Sequence, residues 1–110
     1  MRGIKRRVMF EVERGQLVRH VWRADGRSYT QRASLAALQE VALFIDAREE
    51  TGVTTGQLWG AFPAIAATQL AVALDFLKER GCIETRGRRN FPASKFLYED
   101  ALIEFHALEA

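Results

Sequence analysis

The sequence predicts an α+β fold in which an antiparallel sheet precedes a set of helices, a β-hairpin and a C-terminal helix. Three observations lead to this prediction. Apolar and polar residues alternate within residues 8–31, which is the period of half-buried strands. Apolar residues recur every three or four positions in 35–50, 66–80 and 97–108, which is the period of amphipathic helices. Residues 82–96 place a glycine among arginines and flank them with short apolar runs, as in a β-hairpin.

Length and composition favour one domain. The chain has 110 residues, of which 48% are hydrophobic, and this suits one core rather than two. We expect a single domain over residues 1–110, with an N-terminal β-meander (1–32), a helical core with its hairpin (33–96) and a C-terminal helix (97–110). The lone Cys82 excludes a disulfide within the chain and favours a reducing compartment.

The sequence gives no signal for membrane association. No apolar run approaches the roughly 20 residues that a membrane helix needs. The N-terminus lacks the apolar segment of a signal peptide. We therefore expect a cytoplasmic protein with no membrane partner.

The N-terminal third predicts a three-stranded meander. Its first strand covers residues 8–13, and the short turn 14–16 leads into a second strand over 17–23. Asp25-Gly26 is a strong hairpin signal, after which residues 28–31 form the third strand. Such a sheet either covers the helical core or pairs through an exposed edge with a second copy of the chain.

The alternation of side chains also predicts the two faces of this sheet. Phe10 marks the apolar face of the first strand. We expect Val18 and Trp22 of the second strand to share that face. Arg19 and Arg23 then lie on the opposite face.

Two further helices frame the core. Ser34 is positioned to cap a helix over residues 35–50, which Thr51-Gly52 ends. Residues 97–108 form an amphipathic C-terminal helix that is acidic overall. An acidic helix does not lie easily along DNA, so we expect it to contact the core or a symmetry mate.

Between them the sequence predicts a short helix, a turn and a longer helix. Thr54 and Gln57 have the spacing of a capping box, and Pro63 ends the short helix that they begin. The longer helix spans residues 66–80, and Gly81 closes it. The residues that we expect to be among the most buried are Leu38, Ile45, Leu58, Leu70, Leu74, Leu77 and Ile83.

A basic hairpin follows. Residues 82–85 are predicted as a strand, 86–90 as the tip and 91–96 as the return strand. Cations clustered at a hairpin tip can reach phosphates or a minor groove together. The residues that we assign to this candidate DNA-binding surface are Arg86, Arg88, Arg89, Asn90 and Lys95.

The segment 58–86 resembles the winged helix-turn-helix superfamily. There, the recognition helix ends in a Leu-x-x-x-Gly-x-Ile pattern before a basic wing, and residues 77–83 have this pattern. The resemblance covers roughly residues 35–96, with bacterial transcriptional regulators of the multiple-antibiotic-resistance type as the nearest analogy. It implies a winged-helix core at 33–96, DNA binding, and dimerisation through the terminal helix.

The predicted recognition helix departs from the pattern of DNA readers. Such a helix usually presents Arg, Lys, Asn, Gln or Ser from its first turns. Here Thr68 is the polar contact that those turns offer, and Asp75 is repelled by phosphate. We therefore expect backbone contacts with little sequence preference. With about 100° per residue, the outward side chains are Ala67, Thr68, Ala71, Asp75, Lys78 and Glu79.

Charge is unevenly distributed along the chain. Residues 1–32 carry nine cations and three acidic residues, a net +6, whereas the whole chain carries +2, which leaves −4 for the rest. The asymmetry indicates either an N-terminal third that faces a polyanion or a solvated, arginine-rich sheet face. On the first interpretation, Arg6 and Arg7 of a basic arm add to the DNA contacts.

These observations lead to two hypotheses. The first is a small winged-helix protein that binds double-stranded DNA through its basic hairpin, as a transcriptional regulator or an accessory factor. The alternative is a winged-helix protein–protein interaction module, because the small side chains of Ala67 and Ala71 permit close approach of a partner. We also expect a homodimer, because the C-terminal helix is joined by four more apolar side chains: Phe44, Ile65, Val72 and Phe76.

The sequence does not predict an enzyme. His20, His106 and Cys82 lack partners at a spacing that helix or strand geometry would bring together for acid–base or metal chemistry. No glycine-rich phosphate loop is present. We therefore expect no cofactor, no metal and no small-molecule substrate.

Overall fold

The computed structural model describes residues 7–109, so Arg6 of the predicted arm lies outside the described residues. Over that range the chain has antiparallel sheets and four helices, which confirms the predicted α+β class. In chain order the elements are β1 (Arg7–Glu13), β2 (Gln16–Trp22), β3 (Ser28–Ser34), α1 (Leu35–Asp46), β4 (Val53–Thr54), α2 (Thr55–Ala61), α3 (Ala67–Glu79), β5 (Ile83–Arg86), β6 (Arg89–Pro92) and α4 (Leu97–Ala107).

The strands form two antiparallel sheets. The N-terminal sheet is the predicted meander, with strands in the order β1-β2-β3. In the second sheet the order is β4-β6-β5, so β6 lies between β4 and its hairpin partner. Strand β4 was not predicted, because a two-residue strand is too short to show an alternating pattern.

Helix α1 ends earlier than predicted. It stops at Asp46, and residues 47–51 form a turn that Gly52 closes by donating its N–H to the Arg48 carbonyl at 2.9 Å. Arg48 and Glu49 follow the fully buried Ile45 by three and four residues. A continued helix would therefore turn both charged side chains toward the core.

The predicted faces of the N-terminal sheet were wrong for β2. Arg14 and Gly15, at φ 51° and 77°, form a two-residue turn that pairs Glu13 with Gln16 and Phe10 with Arg19. The prediction used a three-residue turn, and a shift of one residue exchanges the faces of a strand. Arg19 thus lies on the same face as Phe10, and Val18 lies on the other.

This inner face of the N-terminal sheet covers α3. The ring of Phe10 meets that of Phe76 edge to face, with centroids 5.3 Å apart. At the far end of β3, the Ser34 N–H donates to Gln69 Oε1 at 2.9 Å. Of the two roles considered for the sheet, the structure shows the one in which it covers the helical core.

The core contains the predicted residues. All seven residues expected among the most buried are at most 5% exposed. Of the side chains that suggested a dimer, Val72 and Phe76 are fully buried, and Phe44 and Ile65 pack half-buried against the core. The apolar surface that suggested a dimer is thus used within one chain, and the homodimer stays a prediction.

The end of α3 sets the direction of the hairpin. Gly81 has a φ of +74°, the Cys82 N–H donates to the Leu77 carbonyl at 2.9 Å, and the Gly81 N–H donates to the Lys78 carbonyl at 3.1 Å. These two bonds are those of a Schellman cap, which satisfies the last carbonyls of a helix and reverses the chain. Strand β5 consequently begins at Ile83, immediately beyond the cap.

Candidate nucleic-acid interface

The β5–β6 hairpin concentrates positive charge at its tip. Arg86 pairs with Arg89 across the strands, so Gly87 and Arg88 form a two-residue turn. This register places three exposed cations within four residues. We call them the tip arginines (Arg86, Arg88 and Arg89).

Contacts within the chain orient two of these arginines. The Arg86 guanidinium lies 3.9 Å from the centroid of the Phe91 ring, and its Nε lies 3.7 Å from Glu84 Oε1. Arg89 Nη1 donates to the carbonyls of Thr51 and Gly52 at 3.4 and 3.5 Å. Both side chains remain exposed, and an exposed ion pair such as Arg86–Glu84 is weak. The tip therefore presents cations whose direction is partly fixed.

Asn90 does not belong to the exposed surface to which the sequence assigned it. Its side chain is 2% exposed, its Nδ2 donates to the Val53 carbonyl at 3.1 Å, and its Oδ1 accepts from the Thr85 hydroxyl at 2.8 Å. These bonds join β4, β6 and β5. Asn90 thus stabilises the base of the hairpin instead of offering its amide to a ligand.

A groove lies beside the tip. It has a volume of about 450 Å³ and is open to solvent. We call it the hairpin groove, and its lining residues are Thr54, Thr55, Gly56, Lys78, Thr85, Arg88 and Asn90. Its lining includes two cations and three threonines, and such groups contact phosphates in protein–DNA interfaces.

Sequence reasoning missed Lys78 as a site residue. The helical period correctly predicted that its side chain points outward, and it is exposed. Its position beside Arg88 depends on the return of the chain through the Gly81 cap, which brings β5 back along α3. Only the three-dimensional fold places these two cations in one groove.

Lys95 lies away from the tip. The return strand ends at Pro92, and one more bond, from the Ala93 N–H to the Cys82 carbonyl at 2.9 Å, follows it. Ser94 then starts a turn into α4, where its hydroxyl accepts from the Phe96 N–H at 3.0 Å and donates to Asp100 Oδ2 at 2.8 Å. Lys95 is exposed in this turn, at the opposite end of β6 from the tip arginines.

The outward face of α3 is as the helical period predicts. We call it the outer strip of α3, and its members are Ala67, Thr68, Ala71, Asp75, Lys78 and Glu79. Ala71 and Asp75 are half-exposed and the other four are exposed, so Thr68 is accessible. Asp75 is not isolated there, because Arg19 Nη1 lies 3.1 Å from its Oδ2.

Arg7 lies on a different face. It is the first residue of β1 and pairs with Trp22 of β2, with its guanidinium 5.6 Å from the centroid of the Trp22 ring. Successive residues of a strand alternate in direction, so Arg7 points away from the face of Phe10 that covers α3. Any contact of Arg7 with DNA would therefore come from the outer face of the N-terminal sheet.

His20 and Cys82, two of the side chains considered for chemistry, lie in structural surroundings. His20 bridges the strands of the N-terminal sheet, contacting Glu11 through Nε2 and the Thr30 hydroxyl through Nδ1 at 3.2 Å. Burial raises the pKa of the Cys82 thiol to about 11, with a further contribution from the nearby carboxylate of Glu104. A thiol with this pKa is protonated at neutral pH and is a weak nucleophile.

Comparisons with known proteins identify no relative. No protein-family model, curated protein or solved structure matches this chain. Within residues 7–109, no helix is long and apolar enough to cross a membrane. In the same range, no group of three or more His, Cys, Asp or Glu side chains is arranged to hold a metal ion.

Proposed function

We propose that this protein is a small winged helix-turn-helix protein that binds double-stranded DNA through its β5–β6 hairpin. The observation that carries the proposal is the position of the tip arginines on a hairpin that directly follows two consecutive helices. Lys78 adds a cation from α3 in the adjoining hairpin groove. Arg88 and Lys78 line this groove from two elements, whereas the register of the hairpin puts Arg86 and Arg89 on its other face, with Phe91.

The chain topology supports the winged-helix assignment. Helices α2 and α3 follow each other with residues 62–66 between them, and a hairpin comes next. The short strand β4, which precedes α2, pairs with the second strand of that hairpin. This order of helices and strands is the one that the resemblance in residues 35–96 implies.

The binding mode is electrostatic. The outer strip of α3 has small or acidic side chains where a reading helix has arginine, asparagine or glutamine. Arginine contacts to phosphates position a protein on DNA without reading its sequence. The proposed role is therefore that of a cytoplasmic regulator or accessory factor with a weak sequence preference. In this role the protein acts as a homodimer.

A protein-interaction module is the second candidate, and two observations favour it. Ala67 and Ala71 leave the outer strip of α3 without bulky side chains. Phe96, which precedes α4, and Ile103 on α4 are each 63% exposed. A helical partner could cover either surface.

The test of DNA binding compares the wild type with a variant in which the three tip arginines are alanine. We expect the substitutions to lower the affinity for unrelated duplexes by a similar factor, because phosphates are common to all of them. The slope of log affinity against log salt should decrease by about 0.9 for each phosphate that the variant no longer binds. Fluorescence anisotropy of labelled duplexes over a series of salt concentrations measures both quantities.

A matched control removes the same charge elsewhere. Arg14, Arg23 and Arg27 are exposed in the two turns of the N-terminal sheet, and replacing them with alanine should change affinity much less. Equal decreases in affinity for the two variants would show only a general effect of net charge. If the wild type binds no duplex at low salt, DNA binding is wrong and the protein-interaction module replaces it.

A further inference from the structure

Arg19 reaches from the middle of β2 to the outer strip of α3. Its Nη1 lies 3.1 Å from Asp75 Oδ2, and its Nη2 donates to Gln31 Oε1 on the neighbouring strand. The Arg19 side chain is 13% exposed, and its Nε is buried without a hydrogen-bond partner among the described residues. A buried donor without an acceptor costs free energy. The fold therefore holds the guanidinium against Asp75 even though one of its N–H groups is unsatisfied.

Asp75 and Glu79 are the acidic residues of the outer strip of α3, and Asp75 is the one that contacts the N-terminal sheet. Its side chain is 33% exposed on the outer strip, where a carboxylate repels phosphates. The guanidinium at 3.1 Å makes the pair neutral as a unit and draws the carboxylate toward the N-terminal sheet. Lys78, which lies about one helical turn after Asp75 on the outer strip, keeps its positive charge and lines the hairpin groove.

We infer that Arg19 is a positioning residue of the proposed DNA interface. It neutralises Asp75 and fixes the direction of its carboxylate, so that the outer strip of α3 can approach the phosphate backbone. The inference rests on the proposed DNA binding. It gives the N-terminal sheet a function beyond covering the core, because that sheet supplies the neutralising cation.

The test is a double-mutant cycle of Arg19→Met and Asp75→Asn, with duplex affinity as the readout. If the Asp75 carboxylate lies about 8 Å from a DNA phosphate, their repulsion lowers affinity by about 2-fold at a dielectric constant of about 80. At a dielectric constant of about 20 the same repulsion lowers it by about 30-fold. Arg19→Met should weaken binding within this range, because Asp75 then repels the backbone. Adding Asp75→Asn should restore affinity to near that of the wild type. Asp75→Asn alone should leave affinity unchanged or increase it.

A matched control separates this effect from loss of net charge. Arg32 is also an arginine of the N-terminal sheet, but it pairs with Glu13 at 2.9 Å on the face that points away from α3. Arg32→Met removes the same charge and should change duplex affinity little. Thermal unfolding of every variant comes first. If Arg19→Met does not fold, Arg19→Gln takes its place, since its amide can still hydrogen-bond Asp75.

The salt dependence distinguishes positioning from direct contact. Salt screens the repulsion between Asp75 and phosphates, so the loss of affinity in Arg19→Met should shrink as salt rises, and Asp75→Asn should restore both the affinity and the slope. A slope reduced by about 0.9 that Asp75→Asn does not restore would mean that Arg19 itself contacts a phosphate, and this would overturn the inference. Unchanged affinity of Arg19→Met, or failure of Asp75→Asn to restore it, would also overturn it. If the wild type binds no duplex, the proposed function fails together with the inference.

Discussion

Single residues determine whether the hairpin keeps its shape, and Asn90 is the clearest case. It is the one buried polar side chain among residues 7–109, and it bonds to both neighbouring strands of its sheet. The sequence predicted Asn90 as a surface contact because it follows three exposed arginines. The sequence could not show that the Asn90 side chain points into the fold, because this direction depends on how β6 pairs with β4.

We predict that Asn90→Ala destabilises the protein by about 1–3 kcal/mol, because it removes the buried amide that bonds both the Val53 carbonyl and the Thr85 hydroxyl. Urea unfolding measures the change. Thr85→Val is the comparison, since it removes one of these bonds and should cost less. An Asn90→Ala variant as stable as the wild type would mean that water replaces the amide.

At the scale of elements, the junction between α3 and β5 controls where the tip arginines lie. Gly81 holds a φ of +74°, a conformation that strains other residues. Gly60 lies in α2 with no atom within 4 Å of an added Cβ, and its φ is ordinary for a helix. Replacement with alanine should therefore have opposite effects on stability at Gly81 and at Gly60.

We predict that Gly81→Ala destabilises the protein by about 1 kcal/mol or more, because alanine at this φ is strained. Gly60→Ala should stabilise it by up to about 1 kcal/mol, because alanine favours a helix. Chemical denaturation of both variants gives the two free energies of unfolding. Changes of the same sign would contradict the assigned backbone conformations.

The sequence predicted elements better than it predicted faces. Helical periods located α1, α3 and α4, and the capping box of Thr54 and Gln57 is present as predicted. The faces of β2 were wrong because the alternation has a period of two, and one residue in the turn decides its phase. The prediction placed Lys95 on the return strand, but β6 ends at Pro92, three residues before it.

Among the large apolar side chains of residues 7–109, Phe96 and Ile103 are the most exposed. Phe96 immediately precedes α4 and Ile103 lies on it seven residues later, and each is 63% exposed. The resemblance to winged-helix regulators implies dimerisation through a terminal helix. The homodimer prediction now depends on this surface, because Phe44, Ile65, Val72 and Phe76, which suggested it, pack against the core.

We predict that the wild type sediments as a dimer at micromolar concentration and that Ile103→Glu shifts it to a monomer by burying a charge in the interface. Leu43→Glu is the matched control, because Leu43 is 47% exposed on α1 and should leave the assembly unchanged. Sedimentation velocity measures both. A monomeric wild type would contradict the prediction.

The turn of Arg14 and Gly15 has a consequence for how this protein tolerates insertions. The turn is exposed, and surface turns usually accept an extra residue with little effect. Here one added residue that shifted the register of β1 against β2 would break the alignment of Phe10 with Arg19. If β1 stayed in place, β2 would turn Val18 and His20 toward α3 and turn Arg19 outward. The length of this turn is therefore under a constraint that its exposure does not suggest.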